Sequence, residues 1–443
     1  MTGTPRSGPA AGAPGREQPR QEPASDASGI SRTPRPPTAR PVPDARRTPH
    51  TQHGIRQRNL SLVLHTVAAE GPLSRADVAG RVGLTRAAVS TLVDELTSAG
   101  LLVELGRGRP GTVGRPGSAL VIGDHGPAGL GAEIGVDHLA VCAVDLRGRV
   151  RVRVEEPVAG RGSDPATVLA RLAELVRAVT AEAESEGLRP RGLAVAVPGL
   201  VARDSATVVH APNLGWQGVD AGPALQAAVP PGVPVSVGNE ADFGALAELL
   251  LGEGGASRRD FVHISAEIGI GAAVVVDGAL LRGAQGFAGE LGHVPVRPEG
   301  PACPCGGRGC LEQYAGEEAV RRAAGLRDGE GIAELQERAA AGEEAVLRAL
   351  DEAGTALGIA LAGVVNLLDP QAVVLGGALA GLSPWLLPAA QRELTGRVIR
   401  PYGGITVSRV GRDGPLLGAA HSVVQAVLDD PLGRAGSRGG GSG

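Results

Sequence analysis

The sequence contains no lysine, only four cysteines and very few aromatic residues. All 43 basic residues are arginine, and aromatic side chains make up 2% of the 443 residues. Both features are typical of the coding bias of a GC-rich genome, so arginine counts alone do not predict a basic binding surface. No apolar run reaches the length that spans a bilayer, and the N-terminus lacks the apolar segment of a signal peptide. We therefore expect a cytoplasmic protein without a membrane partner.

Charge is distributed unevenly along the chain, although the net charge is only −4. Residues 1–53 carry 8 Arg against 4 acidic residues, residues 54–118 carry 8 against 5, and the rest carry 27 against 38. A basic front on an acidic body favours nucleic-acid binding at the front, although a solvated tail also explains the first segment. We predict a disordered tail over 1–53, a DNA-binding domain over 54–118, a ligand-binding body over 119–433 and a disordered tail over 434–443.

Start and stop signals for three short helices follow the first tail. Ser74, with Asp77 three residues later, forms a capping-box signature. Gly83 predicts the turn before a third helix that starts at Thr85. A strand at Leu101–Leu105 and a Gly-rich hairpin complete the order of a winged helix-turn-helix, with a three-helix bundle or a protein-docking module as the alternative. The predicted buried stripes are Leu60, Val63, Leu64 and Val67 in the first helix and Val89, Leu92, Val93 and Leu96 in the third.

The third predicted helix carries short polar and basic side chains on the face opposite its apolar stripe. Such groups reach base edges and phosphates in the major groove. The wing contains two Gly-Arg-Pro segments, which are slim enough for an arginine to enter a narrow A·T-rich minor groove. Because two-fold proteins read two-fold sites, we predict a homodimer or homotetramer on an inverted repeat with A·T-rich flanks. The predicted DNA contacts are Thr85, Arg86, Ser90, Thr91, Arg109 and Arg115.

Beyond Leu120 the pattern alternates between strands and helices, which predicts an α/β body of two lobes around a cleft. Predicted strands lie at Leu130–Ile134, Ala140–Asp145, Val150–Val154, Leu193–Val197, Val233–Val237, Phe261–Ser265, Gly271–Val276, Ala372–Leu375 and from Ile405, with helices over Pro165–Glu186, from Ala241 and at the end of the body.

Three of the four cysteines fall within eight residues, at Cys303, Cys305 and Cys310, and His293 lies ten residues before the first of them. Thiolates are soft ligands and imidazole is a borderline one, so three Cys and one His suit a closed tetrahedral zinc site. The glycines between Cys305 and Cys310 let the chain fold back on itself. Three ordinary buried cysteines, or a disulfide, are the alternatives.

These residues form two motifs that resemble the ROK family, which contains bacterial sugar kinases and sugar-responsive repressors. The motifs are Glu-x-Gly-His at Glu290–His293 and Cys-x-Cys-Gly-x-x-Gly-Cys-x-Glu at Cys303–Glu312, and Ser74–Pro116 also resembles the DNA-binding domain of ROK repressors. The resemblance implies an actin-like, sugar-kinase-type fold whose ends return to the first lobe. It implies zinc ligands at His293, Cys303, Cys305 and Cys310 and sugar contacts at Asn213, Asn239, Glu240, Glu290, His293 and Glu312. Asn213 is equally well explained as a turn residue.

The resemblance also exposes three departures from a kinase. Where ROK kinases have an Asp-x-Gly-Gly-Thr phosphate loop, this chain has Glu133–Asp137, in which Val136 adds bulk and Asp137 adds negative charge. In the second phosphate loop, Glu267–Gly271, Glu and Ile replace Gly and Thr. The catalytic Asn-Asp pair is Asn239-Glu240, which moves the carboxylate outward by one methylene, and small displacements of this kind slow catalysis strongly.

We therefore predict a transcriptional regulator, acting as a repressor, that holds zinc and responds to a sugar or sugar phosphate without being an enzyme. The first alternative is an active ROK-type sugar kinase with an added DNA-binding domain. The second is a zinc-bearing scaffold with no small ligand, which the retained glutamates and Asn239 disfavour.

Overall fold

The computed structural model describes residues 52–105, 118–158, 160–203, 205–252, 258–266, 269–327 and 330–433. Nearly all of both predicted tails lies outside these ranges, as do Arg109 and Arg115 of the predicted wing and Glu267 and Ile268 of the second phosphate loop. The first helix begins at Gln52, two residues before the predicted start of the DNA-binding domain at residue 54.

Three helices and a three-stranded sheet form the N-terminal domain. Their bounds are α1 Gln52–Glu70, β1 Leu73–Ser74, α2 Arg75–Val82, α3 Arg86–Ser98, β2 Leu102–Leu105 and β3 Ala119–Ile122. The predicted capping box between Ser74 and Asp77 is present, and Gly83 ends α2 at φ 69°. The eight predicted stripe residues are all buried. The strand order is β1-β3-β2, so the sheet uses a strand beyond the predicted domain end at residue 118.

The first lobe of the body is built on a five-stranded sheet. Its elements are β4 Gly126–Ile134, β5 His138–Asp145, β6 Val150–Pro157, α4 Pro165–Ser185, β7 Leu188–Val197, β8 Leu200–Val201, β9 Thr207–Ala211, β10 Trp216–Asp220, α5 Gly222–Gln226, β11 Val235–Asn239 and α6 Glu240–Leu251. The strand order is β11-β7-β4-β5-β6. Strands β4 to β6 form an antiparallel meander, whereas β7 and β11 add in parallel. A small sheet of β8, β9 and β10 extends from its end.

The second lobe contains another five-stranded sheet, in the order β14-β13-β12-β15-β16, and most of the remaining helices. Its strands are β12 Phe261–Ala266, β13 Ile270–Val276, β14 Ala279–Leu280, β15 Ala372–Leu375 and β16 Ile405–Val407, and its helices are α7 Glu312–Ala315, α8 Glu317–Ala323, α9 Ile332–Ala340, α10 Glu344–Leu368, α11 Gly377–Gly381 and α12 Ser383–Arg397. Short 3-10 turns lie at Leu291–His293 and Gly411–Asp413. The predicted strands of both lobes are therefore present.

The last helix, α13 Gly414–Asp429, returns to the first lobe. It crosses β4 so closely that a Cβ atom at Gly131 would lie 2.5 Å from the carbonyl oxygen of Leu416. Its buried side chains also share one core with α1 and α3 of the N-terminal domain. This confirms the expected return of the chain and places α13 between the body and the N-terminal domain.

Helix α10 is long and apolar enough to cross a membrane by length and composition alone. It is a core helix of the second lobe, because Val346, Leu350, Leu357 and Leu361 are fully buried against neighbouring elements. More than half of its most apolar window is buried inside the protein. The helix is thus explained by the second core.

Candidate functional site

The predicted metal ligands meet at one point of the second lobe. Ligand atoms of His293, Cys303, Cys305 and Cys310 all lie within 4.8 Å of one another. The His293 Nδ1 atom is 3.7 Å from Cys303 Sγ, and Cys305 Sγ is 3.8 Å from Cys310 Sγ. Ligand atoms on a tetrahedral zinc ion are separated by about 3.5–3.8 Å, given zinc–sulfur bonds of about 2.3 Å. The donor set and its spacing therefore fit a zinc ion.

Local backbone turns bring the three sulfurs together. The Cys303 carbonyl accepts a hydrogen bond from Gly306 N–H, and Cys303 N–H donates to the Gly307 carbonyl. Gly306 and Gly309 have φ values of 91° and 66°, which side-chain-bearing residues rarely adopt. Burial and the neighbouring sulfurs raise the pKa of the Cys310 thiol to about 12, so a bound cation is needed to hold it as a thiolate.

Two carboxylates, those of Glu290 and Glu312, lie beside this cluster. Glu290 Oε2 lies 3.9 Å from His293 Nε2, the ring nitrogen that faces away from Cys303. Glu312 Oε2 accepts a hydrogen bond from Ile270 N–H at 3.3 Å. Burial raises the pKa of Glu290, Glu312 raises it further, and His293 lowers it. His293 thus links the cluster of sulfurs, through Nδ1, to a group of carboxylates, through Nε2.

Gly269 brings Asn213 to the same place. A Cβ atom at Gly269 would lie 2.5 Å from Glu312 Oε2 and 3.3 Å from Asn213 Nδ2. Asn213 lies in the turn after β9, where Leu214 N–H donates to Ala211 O, while Trp216 is buried in the first core. Asn213 is therefore a turn residue and also a neighbour of Glu312.

Asn239 and Glu240 stand at the start of α6. The Asn239 side-chain oxygen accepts from the backbone N–H groups of Ala241 and Asp242, and its amide donates to the Gly199 carbonyl at 2.8 Å. These bonds cap the helix and leave Asn239 with one amide hydrogen for any ligand. Its role is thus at least partly structural.

Asp242 was missed by sequence reasoning. Its carboxylate is half-buried and lies near Glu290 and Arg282. It also lines a cavity that Asn239 contacts. Burial raises the pKa of Asp242 to about 6, Arg282 lowers it and Glu290 raises it. The only available signal was its position on the first turn of the helix that Asn239 caps.

The first phosphate loop pairs its charges within the protein. His138 Nδ1 lies 2.8 Å from Asp137 Oδ1, and Nε2 lies 3.7 Å from the buried Glu133 Oε1. The Glu133 and Asp137 carboxylates raise the pKa of His138 to about 9 despite burial, so the ring is charged at neutral pH. The ring also packs against Gly135, whose N–H donates to the His138 carbonyl. In the second loop, Glu267 and Ile268 lie outside the described ranges.

Between the lobes, this loop lines a cavity of about 610 Å³ with charges of both signs. Arg161 of the first lobe lies 3.7 Å from Glu318 of the second. Burial raises the pKa of Glu317, Arg321 and Arg412 lower it, and Asp137 raises it. The charged lining residues are Asp137, Arg161, Glu317, Glu318, Arg321 and Arg412.

The N-terminal domain presents part of the predicted DNA-contacting face on α3. Arg86 and Thr91 are exposed and Ser90 is half-buried, whereas the Thr85 hydroxyl accepts from Ala88 N–H as the helix cap. Arg75, which sequence reasoning did not single out, binds Asp94 of α3 and Glu104 of β2. It also donates to the Ser90 carbonyl, and so fixes α3 against α2 and the sheet.

Comparison with known proteins adds relatives of two kinds. The sequence model described as ROK family matches residues 129–426. A xylose repressor of Bacillus subtilis strain 168 is 28% identical over 379 residues, which are 85% of this chain and 97% of that protein. A glucokinase of Streptomyces coelicolor is 32% identical over 198 residues, which are 45% of this chain and 59% of the glucokinase.

Solved structures give the same picture. A ROK family transcriptional regulator, described as a homologue of the E. coli MLC protein, matches 85% of this chain and 98% of its own length with a TM-score of 0.72 and 28% identity. A ROK family glucokinase of Streptomyces griseus, solved with glucose and AMPPNP, matches 67% of this chain and 98% of its own length with a TM-score of 0.57 and 28% identity. The match to the regulator covers more of this chain than the body alone contains, so it extends into the N-terminal domain.

Proposed function

Since the chain belongs to the ROK family, we propose that it is a DNA-binding transcriptional repressor whose sugar-kinase-type body senses a sugar without phosphorylating it. One observation supports this proposal most. The chain has the Glu290, His293 and Glu312 group, whereas in the first phosphate loop Asp137 pairs with His138 of the same chain. The xylose repressor and the ROK regulator, each matched over 85% of this chain, support a regulator over a kinase.

The proposed effector site consists of Asn213, Asn239, Glu240, Glu290, His293 and Glu312. Carboxylates and amides that converge on one small region suit the many hydroxyl groups of a sugar. Zinc on His293 Nδ1 would fix the ring so that Nε2 faces the ligand. By fixing Cys310, the metal would also fix the position of Glu312, which lies two residues later in the chain. The proposed role of the metal is therefore to position side chains.

The proposed DNA contacts are Thr85, Arg86, Ser90 and Thr91 on α3, with Arg109 and Arg115 from the wing outside the described residues. One small reading head gives limited affinity, so we propose a homodimer or homotetramer on an inverted repeat with A·T-rich flanks. The protein would act in the cytoplasm. We place the end of the DNA-binding part after β3, at residue 122, because that strand belongs to its sheet, and the sugar-sensing part then runs to residue 433.

Helix α13 provides a physical connection between the two parts. A Cβ atom at Gly418 would lie 1.8 Å from the Phe243 carbonyl oxygen, so α13 and α6 touch through their backbones. At its other end, Asp429 Oδ1 of α13 lies 2.9 Å from His65 Nε2 of α1. A sugar that favours one position of α6 can therefore bias the N-terminal domain, by a coupling of about 1–3 kcal/mol, or roughly 5- to 150-fold in DNA affinity.

The test begins with selection of a binding sequence from random DNA by the full chain. Operator affinity is then titrated with and without D-xylose and D-glucose, beside an ADP-release assay with the same sugars. We expect a change in DNA affinity and no turnover. Robust turnover together with an unchanged DNA affinity would reject the sensor in favour of the kinase.

A pair of variants tests whether α3 contacts the bases of the operator. Arg86→Ala should weaken operator binding by about 1–3 kcal/mol, because a base-contacting arginine is lost. Arg348→Ala, which removes an exposed arginine of α10, is the matched control and should leave operator affinity unchanged. Equal losses in both variants would contradict the assignment of α3 as the reading helix.

A further inference from the structure

A cavity of about 430 Å³ lies between the first lobe and the segment after β14. Asn239 and Asp242 line it at the start of α6, and Arg203, Ser236 and Arg282 line it from other segments. Asn239 is also one of the proposed sugar contacts. A ligand bound at that contact would therefore border this cavity.

The two arginines alone would make this cavity suited to a phosphate group. Arginine guanidinium groups are the usual partners of phosphate in proteins. Arg203 donates to the Gly283 carbonyl and so is held at the cavity edge, while Arg282 lies close enough to Asp242 to stabilise its charge. The Asp242 carboxylate thus sits among the groups that a phosphate would use.

No hydrogen-bond donor to the Asp242 carboxylate is found in the part of the chain that the structure describes. A half-buried carboxylate without donors is unfavourable, and a ligand that brings hydroxyl groups would relieve this. A phosphate would instead meet repulsion from Asp242 as well as from Glu290 and Glu312. The arrangement therefore favours a neutral, hydroxyl-rich ligand over an anionic one.

From these observations we infer that Asp242 is a specificity-determining residue that makes the site select an unphosphorylated sugar and reject its phosphate. This inference rests on the proposed sugar-sensing function and adds the class of effector to it. Asp242 binds a sugar hydroxyl and offsets the two arginines, so its loss has opposite effects on the two kinds of ligand.

The test measures the dissociation constants of D-glucose, glucose 6-phosphate, D-xylose and xylose 5-phosphate for the zinc-loaded full chain by calorimetry. The wild type should bind at least one neutral sugar about tenfold more tightly than its phosphate. In Asp242→Asn, which keeps the shape but removes the charge, the ratio should fall by about fivefold or more. Asp351→Asn, an exposed and isosteric control on α10, should leave the ratio unchanged.

The outcomes separate the inference from its premise. Tighter binding of a phosphate by the wild type, or an unchanged ratio in Asp242→Asn, would overturn the inference and leave the sugar sensor standing. Binding of none of the four probes would overturn the sensor itself and the inference with it. Because the ratio compares two ligands on one protein, a general loss of folded Asp242→Asn cannot mimic the expected result.

Discussion

The two ends of the interlobe cleft treat their charged groups in opposite ways. At one end Glu290 and Glu312 lie beside His293, with Asp242 near them, and Asp242 lines a cavity of about 430 Å³. At the other end His138 pairs with the buried Glu133 and with the largely exposed Asp137. We call the second end closed, because its carboxylates already have a cationic partner, and the first end open.

Removal of a metal ligand should have the largest effect on the open end of the cleft. Cys310→Ser takes one ligand from the predicted zinc site, and zinc content should fall from about one per chain to near zero. Since Glu312 and His293 lose their support, sugar affinity should fall by more than about tenfold. Elemental analysis and calorimetry measure both quantities.

The control for that variant is Cys142→Ala, which changes a buried cysteine of β5 outside the cluster. It should keep zinc and sugar binding. Wild-type protein purified without chelators and found to contain no zinc would contradict the metal site altogether.

A more selective effect is expected at Glu290, because zinc content and operator affinity should both be unchanged there. Glu290→Gln removes a charged hydrogen-bond partner of the sugar, worth about 1.5–3 kcal/mol, so sugar affinity should fall by roughly 10- to 150-fold. Operator affinity without sugar should be unchanged, because Glu290 is remote from α3. The exposed neighbour Glu299 provides the control, since Glu299→Gln should leave the sugar response intact. Parallel loss of operator binding in Glu290→Gln would show that the residue supports folding and not recognition.

At the closed end of the cleft, the pairing of His138 predicts that the free energy of unfolding depends on pH. The folded-state pKa of His138, about 9, lies above its ordinary value of 6.5. The pairing therefore stabilises the fold fully below pH 6.5, and this contribution is lost as pH rises through 9. We expect on the order of 2 kcal/mol of unfolding free energy to disappear over that window. Denaturant unfolding of wild type and His138→Gln from pH 6 to 10 measures it, and an equal pH slope in both proteins would refute the pairing.

The sequence predicted correctly those features that depend on residues close together in the chain. The Ser74–Asp77 capping box, the turn at Gly83 and the Cys303–Cys310 spacing are properties of short segments, and each is present as predicted. Strand β3 lies beyond the domain boundary that we predicted at residue 118. It pairs with Leu102–Leu105 across an intervening segment whose sequence gives no strand signal.

The remaining features depend on residues far apart in the chain. Asp242 gains its environment from Arg203 and Arg282, which enter the cavity from separate loops. His138 was not singled out because its charge state depends on Glu133 and Asp137 together with burial. The sugar contacts, the DNA contacts and the identity of the metal remain predictions.

The smallest expected effect concerns Glu240 and sharpens the comparison between the two ends. If the extra methylene of Glu240 were the only obstacle to phosphoryl transfer, Glu240→Asp would restore turnover. We expect no ADP release above background from this variant with Mg-ATP and D-glucose or D-xylose, because Val136 and the paired Asp137 still stand in the first phosphate loop. The Streptomyces griseus glucokinase is the positive control for the assay. Turnover in Glu240→Asp would mean that the phosphate end is functional, and the contrast between an open and a closed end of the cleft would then fail, because internal pairing at His138 would no longer exclude the nucleotide.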